Sequence, residues 1–358
     1  MFDFPADDGS ADEFVRVAME WHFSPDTGSS FWLDRAGSLG FDPRREIRTH
    51  ADLRRFPNIV DELRDVSIAD LTPRGYGGDA DIVGVYDSGG TTGTPKRVPL
   101  HAEWLNTYRE WASSRMDALG APSGGCWLSM APSGPHIFGR LMAELARLRG
   151  GAYFSIDLDP RWVRSCLTAG RAAEAERYVD HLVGQAVDVL RRHRVDVLVV
   201  TPPLLERMAE RDDIVELIRA HTGGILWGGA HMDPDTRHVL RTEVFPDTRL
   251  FGTYGSTMIL GGAMERPSSM DTAECVFDPC SPYMSFSVVD PRTGEEVAEG
   301  ERGQVVMHFV SRSLLLPNNL ERDTAIRVAA QPGQAGVSVA DIAPLPTFDN
   351  ATVIEGVY

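Results

Sequence analysis

Apolar and polar positions along the chain follow two periods that take turns. Short continuous apolar runs occupy 82–85, 126–130, 152–156, 195–200, 225–227 and 249–253. Runs of this length and composition read as strands covered on both faces. Between them lie longer stretches, 138–149, 172–193 and 235–245, whose apolar residues recur three and four apart and predict helices. Another helix is expected over 103–119, with Trp104, Tyr108, Trp111 and Met116 as a core-facing stripe. Strand and helix alternating in this way predict βαβ units, so the expected fold class is α/β, a mainly parallel sheet flanked by helices. From Tyr283 the texture changes. Alternating residues at 286–291 and 304–309, with a turn at Thr293-Gly294, predict a small antiparallel or barrel-like part near the C-terminus. Before Ile82 only patches at 12–21 and 50–56 look helical. The expected organisation is therefore an irregular cap over 1–80 that belongs to the same domain, an α/β core over 81–280 and a small β part over 281–358.

Composition narrows the function classes. A net charge of −17 over 358 residues argues against a nucleic-acid partner, which needs basic patches. No apolar run approaches the roughly 20 residues that span a bilayer, and the acidic start lacks the basic region of a secretory signal, so no membrane span and a cytoplasmic location are expected. The four cysteines include no C-x-x-C pair, which leaves a zinc site and a disulfide framework unsupported.

The densest chemistry lies in Ser88-Gly89-Gly90-Thr91-Thr92-Gly93-Thr94-Pro95-Lys96. Glycine lets the backbone approach an anion closely, threonine hydroxyls add donors, and a lysine adds a compact charge. Lys96 is the one lysine among 35 lysine and arginine residues, which points to a chemical need for an ammonium group there. The stretch is not a Walker loop, because Pro95 precedes the lysine and Arg97 follows it, so the chain should leave the loop as a strand.

Ligands of open α/β sheets bind beyond the carboxyl ends of the strands. Three polar segments deserve weight there, and a fourth lies apart from them near the end of the chain. Ala131-Pro132-Ser133-Gly134-Pro135-His136 presents His136 before a helix, and Leu226-Trp227-Gly228-Gly229-Ala230-His231 offers bare backbone to a flat ligand. Phe251-Gly252-Thr253-Tyr254-Gly255-Ser256-Thr257 follows the next strand, and Ser338-Val339-Ala340-Asp341-Ile342-Ala343 places a two-oxygen acceptor near the end.

The 88–96 stretch, with these segments behind it in order, resembles the adenylate-forming superfamily of acyl-CoA synthetases, aryl-CoA ligases and nonribosomal adenylation domains. The resemblance implies ATP and Mg²⁺ as cofactors and a carboxylic acid as substrate. It gives Ser88, Gly89, Gly90, Thr91, Thr92, Gly93 and Lys96 to the phosphates, Gly229, Ala230, His231, Tyr254 and Gly255 to the adenine side, and Asp341 to the ribose hydroxyls. Thr257 would reach the α-phosphate, and His136, Trp227, Gly228 and Thr253 would face the acid. Many relatives carry a Mg²⁺-binding glutamate where this chain has Met258, a poor ligand for a hard cation. Glu265 is the nearby substitute.

Stretches such as Phe23-Ser24-Pro25-Asp26-Thr27-Gly28 and Asp159-Pro160-Arg161-Trp162-Val163 make the chain similar, within the superfamily, to a short group that includes proteins of phenazine-antibiotic biosynthesis. Full-length relatives continue into a mobile C-terminal domain of about 100 residues that brings a second lysine. This chain ends at Tyr358, so that domain is expected to be absent or supplied by a partner protein. The expected activity is adenylation of an aromatic carboxylic acid in secondary metabolism, with CoA, a carrier protein or an amine as acceptor. Three alternatives stay open: activation of a non-carboxylate group in nitrogen–nitrogen bond formation, a partner-dependent subunit, and a silent nucleotide or aromatic-acid binder.

Overall fold

The structure, a computed structural model, describes residues 10–88, 95–270 and 274–345, and the backbone of two short strands beyond. Strands β1 (Ile82–Asp87) and β2 (Arg97–His101) pair antiparallel as a separate hairpin. The strands β3 (Cys126–Met130), β4 (Ala152–Ser155), β5 (Val197–Val200), β6 (Gly224–Trp227) and β7 (Arg249–Ser256) follow. Then come β8 (Gly261–Glu265), β9 (Val276–Asp278), β10 (Met284–Val289), β11 (Arg302–Val310), β12 (Leu315–Val328) and β13 (Ser338–Pro344). Among the described residues, β3 to β13 form one 11-stranded sheet in the order β10-β11-β12-β13-β9-β8-β7-β6-β5-β3-β4.

The sheet is parallel from β4 to the first half of β7 and antiparallel beyond it. Arg249 to Gly252 lie in parallel register with Gly224 to Trp227 of β6, and Thr253 to Ser256 then pair antiparallel with Met264 to Gly261 of β8. Two glycines make this change of partner possible. A Cβ on Gly252 would sit 2.6 Å from the Trp227 ring, and one on Gly255 would sit 2.1 Å from the Gly261 carbonyl oxygen. The antiparallel part expected after Tyr283 thus starts earlier, inside β7, and extends the main sheet.

The helices that cover the parallel half are amphipathic for the reason the sequence suggested. Helix α1 (Ala11–Phe23), α2 (Ser30–Arg35), α3 (Pro43–Glu46) and α4 (Ile68–Leu71) build the cap. Helix α5 (Ala102–Ala118) buries Trp104, Tyr108 and Met116, and α6 (Ile137–Leu148) buries Ile137, Leu141 and Leu145 at four-residue spacing. Asp159 caps α7 (Pro160–Thr168) through the amides of Arg161 and Trp162, with Pro160 in the first turn where its missing N–H costs nothing. Helices α8 (Ala172–Arg192), α9 (Pro202–Ala209) and α10 (Asp212–His221) flank β5, whose four residues are all buried. The helix expected over 235–245 is shorter: α11 (Pro234–Val239) passes into a π-helical turn at Leu240–Val244.

The cap is not peripheral. The Trp21 and Trp32 ring N–H groups donate to the carbonyls of Arg312 and Leu315 at 2.8 and 3.0 Å, and Phe23, Trp32 and Phe56 pack in one aromatic cluster. These contacts hold the cap on the β11–β12 turn, and its Asp61 reaches Lys96 at 3.1 Å.

Candidate active site

Ser88 and Lys96 close the neck of the β1–β2 hairpin. The Ser88 amide donates to the Lys96 carbonyl at 2.9 Å, and the Lys96 amide donates to the Ser88 hydroxyl at 3.1 Å. The chain leaves the loop directly into β2, as Pro95 dictated. Gly89, Gly90, Thr91, Thr92 and Gly93 lie outside the described residues. Below the neck, Asp87 anchors the hairpin: Arg161 holds one carboxylate oxygen at 2.9 Å and Arg97 the other at 3.2 Å. The Thr257 hydroxyl donates to the Asp87 carbonyl at 3.3 Å, which ties the end of β7 to the same neck.

The hairpin roofs one lobe of a cleft that runs along the second half of β7. This lobe, about 230 Å³, takes Ser88, Lys96, Ser256, Thr257 and Glu321 on its polar side and Tyr108, Phe138, Leu141 and Met258 on its apolar side. Arg64 from the cap also reaches it. His136, the N-cap residue of α6, is buried at its edge, and burial with the nearby Arg161 charge pushes its pKa below the usual histidine value. A second lobe of about 330 Å³ lies across β7, lined by Gly229, Ala230, His231, Tyr254, Arg237 and Asp341 among others. Gly229, Thr253, Gly255, Arg322 and Asp323 belong to both walls, so the lobes adjoin.

In the second lobe the backbone does much of the shaping. Gly229 adopts φ +78°, a conformation that suits glycine, at the turn after β6. The Tyr254 hydroxyl donates to Asp323 at 3.1 Å, which fixes its ring against the lobe. Asp341 takes φ +46°, which aspartate tolerates better than most residues. Its Oδ1 is buried without a hydrogen bond, with Arg237 3.9 Å away, leaving an acceptor for a hydroxyl-bearing ligand.

A family profile described as AMP-binding enzyme matches residues 78–310, from just before β1 to the end of β11. The chain belongs to the AMP-binding enzyme family. It is also 24% identical over 247 residues to a D-alanine–D-alanyl carrier protein ligase of Staphylococcus epidermidis, an alignment that takes 69% of this chain. The chain spans 44% of that relative's length. Two solved structures share the fold. A 2-hydroxyisobutyryl-CoA ligase in an open conformation, bound to 2-HIB-AMP and CoA, has a TM-score of 0.64 at 13% identity and covers 96% of this chain and 74% of its own. The same ligase in the postadenylation state with 2-HIB-AMP gives 0.64 at 14%, covering 99% and 75%. This fold is the adenylate-forming one expected from the sequence.

Three candidates sit differently from their expected places. Glu265, read as a metal ligand, has a fully buried side chain and is absent from both lobe walls. Its carboxylate accepts from Arg241 at 3.0 Å and from the Gly252 amide at 2.9 Å, so it is a structural ion pair that braces β7. Breaking such a buried pair costs about 3–5 kcal/mol. Trp227 lines the second lobe, away from His136, and Gly228 lines neither, because it packs against Thr253 where a Cβ would meet the methyl group at 2.6 Å.

The structure adds residues that the sequence reading passed over. Glu321 and Asp323 alternate on β12 and both reach the cleft. Burial, then the charge of the other carboxylate, pushes the Glu321 pKa up to about 7, and burial raises that of Asp323 as well. The available signal was Leu320-Glu321-Arg322-Asp323, a charged run within an otherwise strand-like stretch.

Proposed function

We propose that the protein converts a carboxylic acid and ATP to an acyl adenylate and pyrophosphate. A carboxylate oxygen attacks the α-phosphorus, the bond to the bridging oxygen of the β-phosphate breaks, and pyrophosphate leaves with that electron pair. The supporting observation is the pair of adjoining lobes around β7, with Lys96 and Thr257 at the end of one and the hydroxyl acceptor Asp341 in the other. A nucleotide laid across Gly255 would put its ribose at Asp341, its adenine beside Tyr254 and Gly229, and its phosphates under the hairpin. Catalysis is then positioning plus stabilisation of the charge that develops on the leaving group.

The acid takes the apolar side of the first lobe. Phe138, Leu141, Tyr108 and Met258 suit a flat aromatic ring, and His136, held neutral by its burial, can donate an N–H to the carboxylate. Mg²⁺, which neutralises triphosphate charge when bound, fits the carboxylates that face the cleft, so Glu321 and Asp323 would hold it in place of Glu265. A thiol acceptor is favoured by the names of the relatives, a carrier protein ligase and a CoA ligase. Secondary metabolism and a cytoplasmic setting complete the proposal. Among the described residues no helix is long and apolar enough to cross a membrane.

Incubation with ATP, Mg²⁺ and a panel of aryl and alkyl acids, followed by mass spectrometry, tests this. The expected product is an acyl adenylate from an aryl acid. A panel that yields none while ATP is turned over to ADP would reject adenylation.

A further inference from the structure

One carboxylate oxygen lies between two cations of the first lobe. Asp61 Oδ1 is 3.1 Å from the Lys96 ammonium and 2.8 Å from the Arg64 guanidinium. The exposures are lopsided. The Lys96 and Arg64 side chains are 15% and 18% exposed, whereas that of Asp61 is 64% exposed. The cations are thus held by the fold and the anion is not. The backbone beneath is well anchored: Arg64 ends a 3₁₀ turn, Glu62–Arg64, whose Leu63 is fully buried, and Ile59 and Val60 are buried before it. The Asn58 side chain accepts from the Val60 amide at 3.1 Å and fixes the approach to that turn.

Two cations converging on one oxygen, with the Ser88, Ser256 and Thr257 hydroxyls on the same wall, is the arrangement a phosphate oxygen needs. We propose that Arg64 binds the pyrophosphate end of the nucleotide beside Lys96, and that Asp61 is an exchangeable counter-ion whose Oδ1 yields its place to a phosphate oxygen. The assignment rests on the adenylation reading. It explains why a cap residue outside the hairpin is aimed into the lobe, and it sets a second cation directly beside Lys96. Exchange of a carboxylate for a phosphate keeps both cations paired in the ligand-free and liganded states, so neither is left as an uncompensated charge.

Titration calorimetry in Mg²⁺ buffer with ATP, pyrophosphate and AMP tests the assignment on the wild type and on Arg64→Ala, Arg64→Lys and Asp61→Asn. Arg64→Ala should weaken ATP and pyrophosphate about ten-fold or more and leave AMP within about two-fold, with part of the loss restored in Arg64→Lys. Asp61→Asn should tighten pyrophosphate about three-fold or more, because the competing anion is gone, and a folding defect cannot produce that gain. Pyrophosphate binding by Arg64→Ala at wild-type strength, an equal loss of AMP affinity, or weaker binding by Asp61→Asn would each overturn the assignment while leaving adenylation standing. A wild type that binds neither ATP nor pyrophosphate would remove the adenylation reading and Arg64's role with it.

Discussion

The two lobes on either side of β7 are built by opposite means. The second lobe depends on conformation: a glycine at φ +78°, an aspartate at φ +46°, and a tyrosine tethered through Asp323. The first depends on charge: Lys96, Arg64 and Glu321 come from the hairpin, the cap and β12 and are held there by the fold, with the exposed Asp61 between the two cations. On the proposed reading, the lobe shaped by backbone geometry takes the nucleoside. One made of convergent charges responds to ionisation and to the leaving group. Substitutions in the two should therefore affect different parts of the same ligand.

Lys96→Ala should give the largest effect. It removes a charge-assisted contact of about 1.5–3 kcal/mol, hence about ten-fold to 150-fold in adenylation turnover, with AMP affinity close to wild type. Asp341→Asn is the counterpart across β7. Asparagine tolerates the same left-handed backbone but loses one acceptor oxygen and the charge, so AMP and ATP should weaken together by about five- to ten-fold in calorimetry. Equal losses of AMP in both variants would mean that the lobes are not separate.

Phe138→Leu sharpens the comparison within the first lobe. Trading the ring for a smaller side chain on the apolar wall should raise the KM of an aryl acid about five-fold and leave the KM of ATP unchanged, as steady-state kinetics with each substrate varied will show. The smallest effect is on pH. Without a divalent cation, Glu321 is neutral below about 7 and ionised above it, so ATP binding should weaken a few-fold as pH rises through that value. Glu321→Gln should flatten this profile, and adenosine binding should show no inflection in either protein. The same shift opposes folding with rising pH: the folded chain keeps a proton that the unfolded chain releases near 4.5, so stability falls between 4.5 and about 7.

Much of the second lobe could be read from the sequence, because its parts are contiguous segments that follow buried strands. Gly229 and Tyr254 lie where the alternation of periods put the carboxyl ends of strands, whereas Asp341 came from the family resemblance alone and sits inside β13. The hairpin exit at Lys96 was also legible, since Pro95 restricts the residue before it. The first lobe was harder. Arg64 looks like any surface arginine until Leu63 and Ile59 are seen to be buried, and Glu321 sits in a stretch whose strand character hides which face meets the cleft. Glu265 misled for a related reason: Arg241, 24 residues away, reaches it only after α11 and its π turn bring the two together. The antiparallel region was expected after Tyr283, and the switch inside β7 escaped notice because it depends on Gly252 and Gly255 approaching neighbouring strands.

Acid-dependent exchange of pyrophosphate into ATP is the most direct measurement of the central claim, since it requires both lobes to be filled and the α-phosphorus to be attacked reversibly. The account predicts exchange that needs an aryl acid and falls about ten-fold or more in Lys96→Ala. Exchange that proceeds without any acid, or that is unchanged in Lys96→Ala, would contradict it.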